Sequence, residues 1–180
     1  MMRSMAFDQI NYTHQEHMHR YACWAAARAA QRGWKGGSVD NIKAAIEAVN
    51  LRENLLELQQ CKIDDVIYKE RHARLANEMI AFFNKKGIEA KYGRVAKVIA
   101  IYVKTVYVIK NPFSPLSKVA YPPIDRKLLL EVKSCKATPP YDHSVSWTVF
   151  DEPDHEVAIE YLRQLVTNRP FWEVERFWNP

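Results

Sequence analysis

Tyr92-Gly93-Arg94-Val95-Ala96-Lys97-Val98-Ile99-Ala100-Ile101-Tyr102-Val103-Lys104-Thr105-Val106-Tyr107-Val108-Ile109 runs for eighteen residues without a proline, serine, asparagine or aspartate. Its valines, isoleucines and tyrosines suit a strand as well as a helix, because β-branched and aromatic side chains pack well on a pleated surface. Length decides between them. A strand usually spans about 5–6 residues, whereas an apolar run three times as long fits a buried helix. At ~100° per residue, Arg94, Lys97 and Lys104 then fall within an arc of ~80°. The segment predicts a helix that is apolar on most sides and carries one narrow cationic stripe. Such a helix belongs at the centre of a fold, with its charged edge reaching a surface or a cleft. The expected fold is therefore all-α, with one domain over residues 1–180 built as an orthogonal helical bundle around this central buried helix.

Working outward, Thr13-His14-Gln15-Glu16 has the spacing of a capping box, which starts a first helix at Thr13 that runs to about Arg32. Within it Ala22, Ala25, Ala26, Ala29 and Ala30 leave a face of little bulk on which another helix can lie close. Ser38 suits the N-cap of a second helix with Ile42, Ile46 and Val49 on one stripe, and Leu51 to Lys62 is ambiguous in its pattern. A third helix is expected from about Asp64, with Ile67, Arg71, Leu75, Met79 and Phe82 along one side and Gly87 at a left-handed C′ position. After the break at Asn111-Pro112-Phe113-Ser114-Pro115 comes a loop, then a short helix over Ile124 to Val132. Ser134 to His143 reads as loop, and the alternation of Val145, Trp147 and Val149 as a short strand or extended segment. Helices from Asp154 to Val166 and from Phe171 to Trp178 complete the expectation.

The charge is unevenly spread. From Lys85 to Lys118 eight basic residues face one acid, Glu89, a local charge of +7 in a chain whose total is +5, so the remainder sums to −2. Clustered lysine and arginine draw in phosphate, which points to nucleic acid as the partner of Lys85, Lys86, Lys91, Arg94, Lys97 and Lys104. Arg28 and Arg32, one turn apart on the first helix, offer a second phosphate contact or surface ion pairs.

Gly93-Arg94-Val95-Ala96-Lys97, followed by Pro123-Ile124-Asp125, resembles the catalytic core of helix-hairpin-helix DNA glycosylases over residues 92–130. In that family a glycine-rich hairpin leads into a helix that carries a lysine in the bifunctional members, and a Pro-Val-Asp-like segment brings the catalytic aspartate to a helix start. The resemblance implies that Lys97 is an amine nucleophile for the sugar anomeric carbon. Asp125 would then stabilise the oxocarbenium charge or orient the nucleophile. Val95 stands where the family's hairpin has its second glycine, and the lysine-to-aspartate spacing is longer than the family's usual one. An attacking lysine must be partly desolvated to lose its proton near neutrality, a setting an apolar helix supplies. The same residues also suit purely structural uses: Gly93 for a tight helix entry, Lys97 snorkelling from a buried helix, Asp125 capping the next one. Tyr21 to Arg28, Tyr92-Gly93-Arg94 and Pro122-Pro123-Ile124-Asp125 together resemble an uncharacterised bacterial all-helical family, which implies the architecture and no particular function.

Other constellations read as structure. His14 and His17 share a helix face but have no nearby third ligand, so no metal and no cofactor are expected. Asp151, Glu152, Asp154 and Glu156 around His155 fit a helix amino terminus better than an acid/base cluster. Phe171, Trp172, Phe177 and Trp178 lie in a stretch, Asp151 to Pro180, whose seven acids and three arginines would repel phosphate, so they are expected to dock on the core. No nucleophile elbow, phosphate-binding glycine loop or dinucleotide fingerprint is present. Cys23, Cys61 and Cys135 are widely spaced, and the longest apolar run, Tyr21 to Ala27, is far short of a membrane span. The expectation is a reduced, cytoplasmic protein with neither leader nor membrane segment. A non-catalytic reading makes the alanine face or the aromatic carboxyl end a homodimer interface.

Overall fold

The computed structural model describes residues 12–133 and 145–178, and every regular element in them is helical. In chain order these are α1 (His14–Ala30), α2 (Val39–Ala48), α3 (Leu51–Gln60), α4 (Asp65–Lys85), α5 (Tyr92–Val103), α6 (Pro115–Val119), α7 (Arg126–Lys133) and α8 (Glu152–Leu165). A π-helical turn, Lys104–Val108, continues α5, a 3-10 turn covers Trp147–Val149, and a 3-10 helix, Phe171–Phe177, follows α8. The expected loop at Ser134 to His143 lies outside the described residues.

Capping residues set the helix starts. Thr13 accepts the Glu16 amide, Ser38 that of Asn41 and Asp64 that of Ile67, each at 2.9–3.1 Å, a contact that stabilises a helix by about 1 kcal/mol. The Glu16 carboxylate turns to Arg20, 2.6 Å away. The reciprocal box appears instead on α8, where Asp151 accepts from the Asp154 amide and Asp154 from that of Asp151. Gly87, at φ +69°, ends α4 in the left-handed region where an L side chain is strained.

The all-α architecture is as expected, with α5 at its centre. Ten of its twelve residues are buried, and α1, α4, α8 and the Trp147–Val149 turn all pack on it. The alanine face of α1 is used here: Ala22, Ala26 and Ala30 are wholly buried, so α1 lies close against α5 and α2. Ala25 and Ala29, on the same helix, are only half-buried. Phe171 and Val174 anchor the carboxyl-terminal 3-10 helix in the same core. Among the described residues, no helix is long and apolar enough to cross a membrane.

Four local expectations are corrected. Residues 145–149 form no strand, because the Ser146 hydroxyl accepts the Thr148 amide and closes a 3-10 turn. The central helix is α-helical only to Val103. Beyond it the Ile109 amide reaches the Lys104 carbonyl at 3.0 Å, five residues back, while the Thr105 hydroxyl donates to the Ile101 carbonyl at 2.7 Å. Leu51–Gln60 is a helix, launched by Asn50 at φ 48°, and Pro115–Val119 is a further short helix capped by Ser114. On α4 the buried line passes through Tyr68, His72, Leu75, Ala76, Met79 and Phe83, leaving Ile67 exposed.

Candidate functional site

Lys97 projects from the middle of α5 and is 8% exposed. Its Nζ lies 3.4 Å from Asp125 Oδ2 and 4.4 Å from the centre of the Trp147 ring. Burial lowers the pKa of the Lys97 ammonium, and the Asp125 charge and hydrogen bond oppose that shift only in part. Asp125 has two separate duties. Oδ1 accepts the Leu128 amide at 2.9 Å and so caps α7, while Oδ2 faces Lys97 and also accepts the Trp178 indole N–H at 3.2 Å. The buried run Tyr121-Pro122-Pro123-Ile124 carries the chain to this point.

Gly93 makes the arrangement sterically feasible. A β-carbon at Gly93 would stand 2.0 Å from the Trp147 carbonyl oxygen, and the Gly93 amide donates to the Phe150 carbonyl at 3.0 Å. The close approach brings Trp147 over Lys97. One residue type at position 93 thus fixes a wall of the site.

Lys97 and Asp125 open onto a cleft of about 300 Å³ that Ala29, Ile101, Lys104, Glu175 and Trp178 also line. Lys104 pairs with Glu175 and lies 5.8 Å from the centre of the Trp178 ring. Burial raises the pKa of the Glu175 carboxyl, Lys104 lowers it, and Asp125 adds a smaller upward push. Two cations and two carboxylates therefore share the cleft. Its formal charge balances, so it does not act as a phosphate trap of the kind Lys97 and Lys104 would make alone.

The other basic residues of the expected stripe go elsewhere. Arg94 shares the face of α5 with Lys97, but its guanidinium donates to the Ala30 and Arg32 carbonyls at 2.7 and 3.0 Å, closing the carboxyl end of α1. Lys91 pairs with Glu89 at 2.9 Å, and Lys85 and Lys86 stand in solvent at the end of α4. Arg126 and Lys127, exposed beside Asp125 at the start of α7, have no carboxylate in ion-pair reach among the described residues. Cys23 is buried, which pushes its thiol up to about 12 and leaves it a poor nucleophile. Among the described residues, no three His, Cys, Asp or Glu side chains converge as metal ligands.

The sequence points to Lys97 and Asp125 but not to Trp147, Glu175 or Trp178. Glu175 and Trp178 lie 50 and 53 residues beyond Asp125, and no local spacing links them to it. The one signal for them is a carboxylate among aromatics at the carboxyl end, which reads equally as surface charge. No family model, curated protein or solved structure matches the chain.

Proposed function

We propose that the chain acts on nucleic acid by base excision, with Lys97 as amine nucleophile and Asp125 as its partner. The observation that carries this reading is the meeting of Lys97 Nζ and Asp125 Oδ2 at 3.4 Å in a partly desolvated cleft. The resemblance to helix-hairpin-helix glycosylases rests on the same two residues. A cleft of about 300 Å³ takes one base and its sugar but no duplex, so the target nucleotide leaves the stack to reach it. Arg126 and Lys127, exposed and next to Asp125 in sequence, would supply phosphate contacts to that strand.

In the reaction Asp125 takes a proton from the Lys97 ammonium, and the freed amine attacks the sugar C1′. The bond from C1′ to the base breaks with its electron pair going to the base, which leaves on taking up a proton. The proton that Asp125 took passes to the departing base, so a carboxylate again faces the positive charge that develops at C1′. The C1′–O4′ bond then breaks as a proton moves from the Lys97 nitrogen to O4′, which gives an iminium between Lys97 and C1′ that borohydride reduces to a stable secondary amine.

A second reading, binding without excision, is favoured by the two structural uses of the pair: Asp125 caps α7 and Lys97 packs on the Trp147 ring. Borohydride trapping separates them. Oligonucleotides carrying deaminated, oxidised or alkylated bases, single-stranded and duplex, are incubated with the protein and reductant. A covalent adduct that disappears in Lys97→Ala and falls sharply in Asp125→Asn supports excision. Binding with neither adduct nor base release favours the second reading, and an adduct that survives Lys97→Ala removes Lys97 from the chemistry.

A further inference from the structure

The outer face of α1 carries an unusual load of exposed aromatic surface. Tyr21 is 54% and Trp24 49% exposed, and their ring centres are 5.7 Å apart, tilted by 35°. Large aromatic side chains contribute most when covered, so two of them side by side in solvent mark a contact surface. Arg28 follows Trp24 by four residues, one turn on along the same face, and Arg32 lies just beyond the end of α1. Both are exposed, and neither has a carboxylate in ion-pair reach among the described residues. From Tyr21 to Arg32 there is no acid.

Geometry links this face to the cleft. Tyr21, Ala25 and Ala29 stand at i, i+4 and i+8, one above another on the helix, and Ala29 is part of the cleft wall. The small side chains of Ala25 and Ala29 leave a shallow track from the Tyr21–Trp24 rings to the mouth occupied by Lys97 and Asp125. Tyr21 to Ala29 covers ~12 Å of helix axis at the usual rise per residue.

We infer that the outer face of α1 is a platform for an unpaired nucleic-acid strand, which it leads into the Lys97–Asp125 cleft. The inference rests on the reading of that cleft as a receptor for a base, and it specifies the substrate as single-stranded or locally unpaired. The chemistry selects this partner. Flat rings beside arginines with no acid among them match bases alternating with phosphates, and stacking on aromatic side chains requires bases whose faces are free. A duplex hides those faces. An anionic membrane would also attract arginine and tryptophan, but the face offers two rings flanked by alanines rather than a broad apolar surface.

The experiment measures fluorescence anisotropy of a labelled oligonucleotide, single-stranded and as the matching duplex, with the full chain and with Tyr21→Ala, Trp24→Ala and Arg28→Ala. The single strand should bind more tightly than the duplex, and Trp24→Ala should weaken it about tenfold or more, the size of one base–aromatic stacking interaction. Arg28→Ala should lower the slope of log affinity against log salt by about 0.7. Equal affinity for duplex and single strand, or aromatic variants that bind as wild type does, would overturn the inference. So would Trp24-dependent binding to phosphatidylserine vesicles with no affinity for oligonucleotide. The outcome is separable from excision. Loss of strand binding in Trp24→Ala sustains the platform even if no borohydride adduct forms, and a full adduct yield with undiminished strand affinity in Trp24→Ala overturns the platform while excision stands.

Discussion

Two opposing effects act on the Lys97 ammonium, burial that favours the amine and Asp125 that favours the cation. Burial is the larger, so the amine forms below the ordinary lysine range and the rate of adduct formation should rise with pH along a limb displaced downward from 10.5. In Asp125→Asn the cation loses its partner, so the limb should move lower still while the maximal rate falls, because the proton acceptor is gone. A pH–rate profile of borohydride trapping reads both changes, and a limb that moved upward would contradict the assignment. Asp125→Ala should also cost stability, roughly 2–4 kcal/mol, by removing a helix cap and leaving a buried cation without its partner. Urea unfolding measures that loss. At this scale the sequence singles out Lys97 as a cation on an apolar helix and Asp125 as a carboxylate at a helix start, and their meeting across 28 residues is a product of the fold. Trp147, Glu175 and Trp178 are not legible in the sequence, because only tertiary packing brings Trp147 over Lys97 and the other two to the cleft.

Helix α5 shows what periodicity reads and what it misses. Its existence and central position follow from length and composition, but the change to a π turn at Lys104 does not. There the Thr105 hydroxyl donates to the Ile101 carbonyl, in a run crowded with β-branched residues, while the backbone closes one residue wider. At the other end, Gly93→Ala places a β-carbon on the Trp147 carbonyl. Backbone on both sides must then move, so the variant should lose about 1–3 kcal/mol, the range for overpacking. It should also detach Trp147 from Lys97, visible as a change in tryptophan fluorescence. On α4 the apolar stripe expected from the sequence is one position off at its start: Ile67 and Arg71 fit the spacing, yet Tyr68 and His72 are buried. The pull comes from an aromatic cluster that no single helix encodes. His72 stacks on His155 of α8 with ring centres 5.5 Å apart, among Tyr68, Tyr92 and Tyr121. Burial pushes His72 down to about 3 and His155 well below its ordinary 6.5. Glu156, next to His155 in sequence, pairs at 2.9 Å with Lys69, three residues before His72. Both histidines are neutral in the fold and take up protons once unfolded, so their stabilising effect is complete above pH 6.5 and declines as pH falls below it. Each should contribute a slope of about 1.4 kcal/mol per pH unit in that window. Thermal unfolding between pH 7 and 4 should show the decline, flattened in His72→Phe/His155→Phe; an unchanged slope in that variant would exclude the pair as its cause.

For the whole molecule, the uneven charge read from the sequence does not translate into one cationic surface. The +7 segment folds so that Lys97 and Lys104 meet carboxylates from distant parts of the chain, and Arg94 closes α1. The sum of charges along a segment is legible in the sequence; their pairing is not, because it depends on Asp125 and on Glu175, 71 residues beyond Lys104. On the base-excision proposal, phosphate contacts would fall to cations that remain in solvent, among them Arg28, Arg32, Arg126 and Lys127. Two charge reversals distinguish these roles. Arg126→Glu/Lys127→Glu changes only exposed side chains at the start of α7, so it should leave the thermal midpoint nearly unchanged. It should weaken nucleic-acid binding strongly and lower the salt slope by about 0.7 for each single-strand phosphate that is no longer neutralised. Arg94→Glu should do the reverse at the level of folding. It sets a carboxylate against the carbonyl end of α1, where the helix dipole is already negative, and removes two hydrogen bonds made by a charged donor. The expected loss is about 2–4 kcal/mol, read by thermal or urea unfolding before any binding is measured. Were Arg94→Glu to fold as stably as wild type while losing affinity, Arg94 would be a direct phosphate ligand, and the stripe along α5 would regain the role its sequence first gave it.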